Sequence, residues 1–185
     1  MKIYISTGGF KNLSGYEASK KLLKNKIKDI ELSGGLYDKN SIRNIAKLKN
    51  QTNFRIHNYF PPPKIPFVLN IASLNKKSST KSMNHIYSSI KYCKKLNSDY
   101  YSFHAGFLCD PKIDQLGKKF FTKKLYNRKK AIEVFLKRVK KISKFANKHN
   151  VKILIENNVL NSRYKPTSNP FLMADEKEIL NLLKK

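Results

Sequence analysis

Three short apolar runs in this chain each end in a side chain that can bind a metal ion or carry a proton. They are Phe54-Arg-Ile-His57-Asn58, Tyr100-Tyr-Ser-Phe-His104-Ala-Gly106 and Lys152-Ile-Leu-Ile-Glu156-Asn-Asn158. Imidazole, imidazole and carboxylate form a donor set suited to a divalent ion: Zn²⁺, Mn²⁺, Mg²⁺ or Co²⁺. Taken singly, each residue has a structural reading. A histidine at a strand end is commonly just hydrogen-bonded there, and a glutamate can serve as a helix-cap partner. All three at the ends of successive strands imply one shared site. In this reading His57, His104 and Glu156 are the metal ligands. The run at 27–32 leads into Glu31-Leu-Ser-Gly-Gly35, a carboxylate just before a small-residue loop, and Glu31 is either a base, a partner to a ligand, or an ion-pair partner of one of the lysines. Glu31, Asn58 and Asn157 are the candidates for substrate contacts.

The elements that must position these residues are short strands. Runs rich in β-branched and aliphatic residues read as buried parallel strands. The run at 152–156 reads as fully buried, so its lone carboxylate must reach the strand's open end or meet a cation there. Strands are expected at 2–6, 27–32 and 54–57, with two more ending at His104 and Glu156. Between them lie helical patterns. Ser14 and Glu17 have capping-box spacing and open a helix through about residue 25. A second begins at Asp38 or Asn40, with Ile42, Ile45, Ala46 and Leu48 in one stripe. A third spans about 79–96, with Met83, Ile86, Tyr87, Ile90 and Cys93 on one face. A fourth spans about 128–149, burying Ile132, Phe135, Val139, Ile142 and Ala146. A last short helix covers 175–183, after a polar loop holding Pro166 and Pro170. The connection 58–73 carries Pro61-Pro62-Pro63, a stiff extended path, and loops of that length are more often functional than mere connectors.

Five repeats of strand and helix argue for a parallel sheet with right-handed crossovers. Functional residues gathered at strand ends favour a (β/α)8 TIM barrel, and no Gly-x-Gly-x-x-Gly follows the first strand to suggest a dinucleotide fold. A full barrel takes about 250 residues; this chain has 185. The expectation is therefore an α/β chain forming one domain over 1–185: a partial (β/α)8 barrel of about five units, truncated at the C-terminus.

The segments Ile-His-Asn-Tyr (56–59), Leu-Asn-Ile-Ala (69–72), Phe-His-Ala-Gly (103–106) and Leu-Ile-Glu-Asn-Asn (154–158) resemble the xylose-isomerase-like TIM barrels. That superfamily holds sugar-phosphate isomerases and epimerases together with the endonuclease IV group of AP endonucleases. The resemblance implies a metal at Glu156. In the endonuclease branch His57 and His104 would ligate as well; in the epimerase branch Glu156 also transfers the proton and the strand-four histidine lines the substrate pocket. Pro61–Pro63 and Glu31–Gly35 look more like the isomerase/epimerase side, in a subgroup associated with sugar or polysaccharide gene clusters. The implied substrate is a small sugar or sugar phosphate. The family's remaining ligands come from strands six to eight, so the resemblance also implies a chain that is inactive alone, self-associating, or completed by a complementary chain.

Composition bounds the alternatives. Hydrophobic residues make up 40% of the chain and charged residues 28%, as in a globular protein with a real core. No apolar run approaches a membrane span, and the first residues enter a strand pattern without signal-peptide anatomy. Two cysteines without metal-knuckle spacing, Cys93 reading as a core residue, suggest a reducing, cytoplasmic setting. Net charge is +27 and the pI about 10.1, which superficially suggests a nucleic-acid partner. Only five of the 39 basic residues are arginine, however: Arg43, Arg55, Arg128, Arg138 and Arg163. Arginine is the usual residue for base edges and phosphate forks. The lysines are spread through every helix, and nucleic acid ranks below a small-molecule substrate. Binding to duplex DNA is accordingly expected to be weak, indifferent to an abasic site and steeply lost with added salt. Gel-shift titrations at two salt concentrations check this. Metal-dependent incision at an abasic site by this chain would reverse the order of the two enzymatic readings.

Overall fold

The computed structural model describes residues 2–116, 125–159 and 169–184, apart from the side chain of Leu183. Arg163 and Pro166 lie outside the described residues. The order of elements is β1 (Ile5–Ser6), α1 (Gly15–Lys24), β2 (Asp29–Ser33), α2 (Ser41–Ala46), β3 (Asn53–His57), α3 (Lys76–Lys95), β4 (Tyr100–His104), α4 (Arg128–Asn147), β5 (Lys152–Glu156) and α5 (Glu176–Leu183), with single 3₁₀ turns at Thr7–Gly9 and Ile113–Gln115. The five parallel strands form one sheet in sequence order, β1-β2-β3-β4-β5. This is the α/β fold of a partial TIM barrel. No helix among the described residues is long and apolar enough to cross a membrane.

The strands alternate rather than bury both faces. Ile30 and Leu32 of β2, Phe54 and Ile56 of β3, and Tyr101 and Phe103 of β4 are buried. Their neighbours Glu31, Ser33, Arg55, His57 and His104 are half-buried on the opposite face. Such two-residue alternation is the direct result of the pleat. It corrects the expectation for β5, which is not fully buried: Leu154 is 44% exposed and Ile153 and Ile155 are half-buried. The physical reason is its position last in the strand order, with a neighbour on one side only among the described residues. β1 is also shorter than 2–6. Register sets Ile5 against Ile30 and Ser6 against Glu31, so residues before Tyr4 run past the start of β2, and Ile3 is 62% exposed.

The helices form largely where periodicity places them. Ser14 and Glu17 make both bonds of a capping box at the start of α1, and the Asp175 side chain caps α5 by accepting from the Glu178 amide. α3 begins at Lys76, earlier than expected, because the Asn75 side chain accepts from the Ser78 amide and supplies a cap ahead of the apolar periodicity. Its buried face holds Ile86, Ile90 and Cys93, but also Ser82 and Ser89, while Met83 and Tyr87 are only half-buried. These serines are tolerated inside because each hydroxyl donates to the carbonyl four residues back. In α4 Phe135, Ile142 and Ala146 are buried, whereas Ile132 and Val139 are half-buried and Ala131 takes a core place.

By contacts the chain divides into two compact units. The first comprises Met1–Pro66, His85–Phe103 and Ser143–Leu154. Its core is built from Leu22, Ile30, Leu32, Ile45, Phe54, Ile56, Phe60, Ile86, Ile90 and Tyr101. Arg55 is stacked there between two tyrosines, its guanidinium 4.0 Å from the Tyr4 ring centroid and 4.7 Å from that of Tyr100.

The second unit comprises Phe67–Asn84, His104–Ile142 and Ile155–Lys185. It is organised around Asn70, which is fully buried. The Asn70 amide nitrogen donates to the carbonyls of Phe107 and Cys109 and to Asp110 Oδ1; its amide oxygen accepts from the backbone of Ala72 and Phe107. Asp110 in turn accepts from Ser73 and Tyr126. Arg138 Nη1 donates to the carbonyls of Ile71 and Ser73. Gly106 passes so close to Asn70 that a Cβ there would lie 2.6 Å from Asn70 Oδ1, and its φ of +103° disfavours any other residue. Gly106→Ala should therefore lower stability by about 1–3 kcal/mol, roughly 3–10 °C in Tm for a chain of this size. Thermal unfolding by circular dichroism checks it. Unchanged stability would show that the Asn70 knot yields without cost.

Candidate metal centre

β3, β4 and β5 each end in a donor because the polar face of each strand reaches its carboxyl end at an odd position. Register pairs Ser33 with His57 and His57 with Ser102, and the Ala105 amide donates to the Glu156 carbonyl. His104 Nδ1 lies 3.7 Å from Glu156 Oε2, with both side chains a little over 40% exposed. One ligand atom from each of His57, His104 and Glu156 lies within 4.8 Å of the others. Donors around a tetrahedral zinc ion, at bond lengths of about 2.0–2.1 Å, are roughly 3.4 Å apart. The set thus fits a divalent ion with small side-chain movement, and its chemistry, two imidazoles and a carboxylate, is that of such a site. Half-exposure leaves solvent or substrate able to reach it.

His57 is held locally. Its Nδ1 is 2.8 Å from Ser102 Oγ. Asn58, the next residue, takes φ +45°. Its amide donates to the Ser102 carbonyl at 2.7 Å, and its own carbonyl accepts from Tyr101 Oη and from His85 Nε2. These backbone bonds of Asn58 fix the turn after His57. Asn157 is exposed. The neighbouring Asn158, which sequence reasoning passed over, ties loops together by donating to the carbonyls of Gly106 and Leu172. Glu31 sits beside Arg55 in register, and among the described residues it enters no ion pair. Asn70 is the other residue the site reading missed. Its signals were a polar residue inside an apolar run and a place in the Leu-Asn-Ile-Ala (69–72) segment that carries the resemblance.

The remaining candidates for chemistry are structural. His149 Nδ1 bonds the Phe145 carbonyl. Burial pushes the Cys93 thiol up to about 12 and the Cys109 thiol up to about 11, so neither is a thiolate at neutral pH. Arg128 bonds Glu178 and the carbonyls of Asn169 and Phe171. With Arg138 and Arg55 also committed internally, three of the five arginines serve the fold.

Parallel strands in sequence order, alternating with helices and with metal-competent donors at the carboxyl ends of three of them, are the make-up of part of a TIM barrel. Residues 21–175 match the family described as xylose isomerase-like TIM barrel, and the chain belongs to that family. No curated protein matches it closely enough to count as a relative. Among solved structures it is similar to a D-tagatose 3-epimerase-like protein (TM-score 0.71, 17% identity, covering 100% of this chain and 61% of that one). It is also similar to an L-ribulose 3-epimerase (0.67, 15%, 98% and 56%). A third is a D-psicose 3-epimerase from Clostridium cellulolyticum H10 with D-tagatose (0.64, 14%, 100% and 59%). The chain thus spans less than two thirds of the length of each.

The clamp on Asn58 makes a pH prediction. A carbonyl only accepts, so His85 Nε2 carries a proton in that bond. Burial lowers the His85 pKa below its usual 6.5, and the bond to Asn58 offsets this in part. The folded chain therefore binds this proton less readily than the unfolded chain. Its contribution to stability is present above about pH 6.5 and is lost as pH falls through that value toward the lower folded pKa. Urea unfolding at a series of pH values should show stability falling below pH 6.5, by up to about 1.4 kcal/mol per pH unit. His85→Gln, which keeps an N–H donor, should flatten that segment; an unaltered slope would assign it elsewhere.

Proposed function

We propose that this chain carries the first five strands of a single barrel-type domain catalysing metal-assisted isomerisation or epimerisation of a small sugar or sugar phosphate. The observation that supports this most is the approach of His57, His104 and Glu156 to within 4.8 Å, in a family whose solved neighbours include ketose 3-epimerases. A divalent ion bound there supplies Lewis-acid polarisation of the substrate carbonyl. His57 and His104 would hold it, with one oxygen of Glu156. The other carboxylate oxygen takes the proton from the carbon next to the carbonyl. Inversion would follow if a second acid, supplied by the rest of the barrel, gave a proton to the opposite face of that carbon; isomerisation would follow if Glu156 gave its proton to the former carbonyl carbon, with the hydroxyl proton moving in compensation. Glu31, Asn58 and Asn157 would contact substrate hydroxyls. The chain spans 61% and 56% of the two first epimerases, so the reaction is proposed for the chain together with whatever supplies the rest of such a barrel, a continuation or a second chain.

A second reading, a zinc-dependent phosphodiesterase acting at abasic sites, is favoured by the donor set itself. Two histidines with the glutamate are the ligands that the resemblance to the endonuclease IV branch assigns to these positions. The commitment of three arginines to the fold counts against it. The first reading expects Zn²⁺ or Mn²⁺ binding by calorimetry, weakened at least about tenfold by Glu156→Gln. It also expects metal-dependent deuterium uptake from D₂O at C3 of a ketose, lost in the same variant. Exchange that ignores both the metal and Glu156 would overturn it.

A further inference from the structure

An imidazole can ligate a metal through one nitrogen only when that nitrogen is unprotonated, and the hydrogen bond at the other nitrogen decides which one this is. For His57 the second partner is Ser102. It sits directly opposite in register on β4, is buried, and places its hydroxyl oxygen 2.8 Å from His57 Nδ1. From the structure we infer that Ser102 is the positioning residue of the candidate centre: its hydroxyl accepts a hydrogen bond from Nδ1–H, fixes that tautomer, and makes Nε2 the ligating nitrogen. The inference rests on the metal reading above.

The surroundings leave His57 little freedom to reach the same end without the hydroxyl. The carbonyl of Ser102 also takes the Asn58 amide at 2.7 Å, so one residue grips the histidine at its ring and at the following peptide. Asn58 is held at φ +45° with its carbonyl bonded by Tyr101 and His85. The backbone after His57 is thereby fixed from β4 and from α3. What remains to be set is the ring's proton, and Ser102 Oγ stands 2.8 Å from Nδ1, in place to accept it there. If the hydroxyl instead donated to Nδ1, the ring proton would lie on Nε2 and that nitrogen could not ligate.

The test uses chain labelled with ¹⁵N at histidine, Zn²⁺ as the probe, and the variants Ser102→Ala and Ser102→Thr. Two-bond ¹H–¹⁵N spectra of the metal-free wild type should show His57 protonated at Nδ1 and bare at Nε2, with the Nε2 resonance moving on addition of Zn²⁺. Ser102→Ala should lose the single tautomer and bind Zn²⁺ about 10–100-fold more weakly. Ser102→Thr, which keeps the hydroxyl, should restore both. A wild-type ring protonated at Nε2 would overturn the inference, as would Ser102→Ala keeping both tautomer and affinity. Should the wild type take up no Zn²⁺, the metal reading fails, while the tautomer of the metal-free chain still decides the role of Ser102.

Discussion

In a parallel sheet a strand presents only every second residue to a given face, and register decides which residues of neighbouring strands meet there. Here that constraint ties packing to chemistry. Ile30, Leu32, Phe54, Ile56, Tyr101 and Phe103 occupy the buried face. Glu31, Ser33, Arg55, His57, Ser102 and His104 fall on the other because each follows a core residue. A slip of one residue in β3 would carry Ile56 out of the core and His57 into it. The packing that stabilises the fold therefore also fixes where the donors stand, and no separate device is needed to bring them to the strand ends.

The loops after the strands are fixed differently, by polar groups that replace backbone pairing. Asn70 satisfies the carbonyls of Phe107 and Cys109 and the amides of Ala72 and Phe107. Asn158 does the same for the carbonyls of Gly106 and Leu172, and Arg138 for those of Ile71 and Ser73. Buried backbone groups that miss a partner are costly. Side-chain amides and a guanidinium, with several donors each, let irregular chain lie in the interior beside His104 and Glu156.

Much of this was legible in the sequence because period and chain order carry it. The five strand-and-helix repeats, the capping box at Ser14 and Glu17, and the donors ending β3, β4 and β5 all follow from local pattern. What was not legible depends on partners far away in sequence. The exposure of β5 is set by its place in the strand order, to which its own Ile-Leu-Ile run is blind. β1 is cut short by where β2 begins. Ser82 and Ser89 look polar in sequence, yet their hydroxyls are satisfied by their own helix and they count as core. Asn70, a polar residue among aliphatics in the 69–72 segment, gave no sign of its role, because its five side-chain hydrogen bonds join it to residues up to 40 positions away. Glu31, expected near the end of its strand, lies at the middle of β2 opposite Arg55, because β2 runs on to Ser33, and Asn157 is exposed just after β5.

The saturation of Asn70 also bears on how the chain ages. Hydrolysis of an asparagine amide to a carboxylate is a common spontaneous lesion, harmless at most exposed positions. At Asn70 it would turn a donor into a buried anion facing the carbonyl oxygens of Phe107 and Cys109 and the carboxylate of Asp110, oxygen against oxygen. Yet the Asn70 side chain is pinned at both ends, its oxygen by two amides, and cannot readily swing to meet the following peptide nitrogen. The same bonds that would make the damage severe thus slow its arrival, and in this asparagine-rich chain chemical wear is steered to the solvent-facing residues, where a new negative charge among so many lysines does little harm.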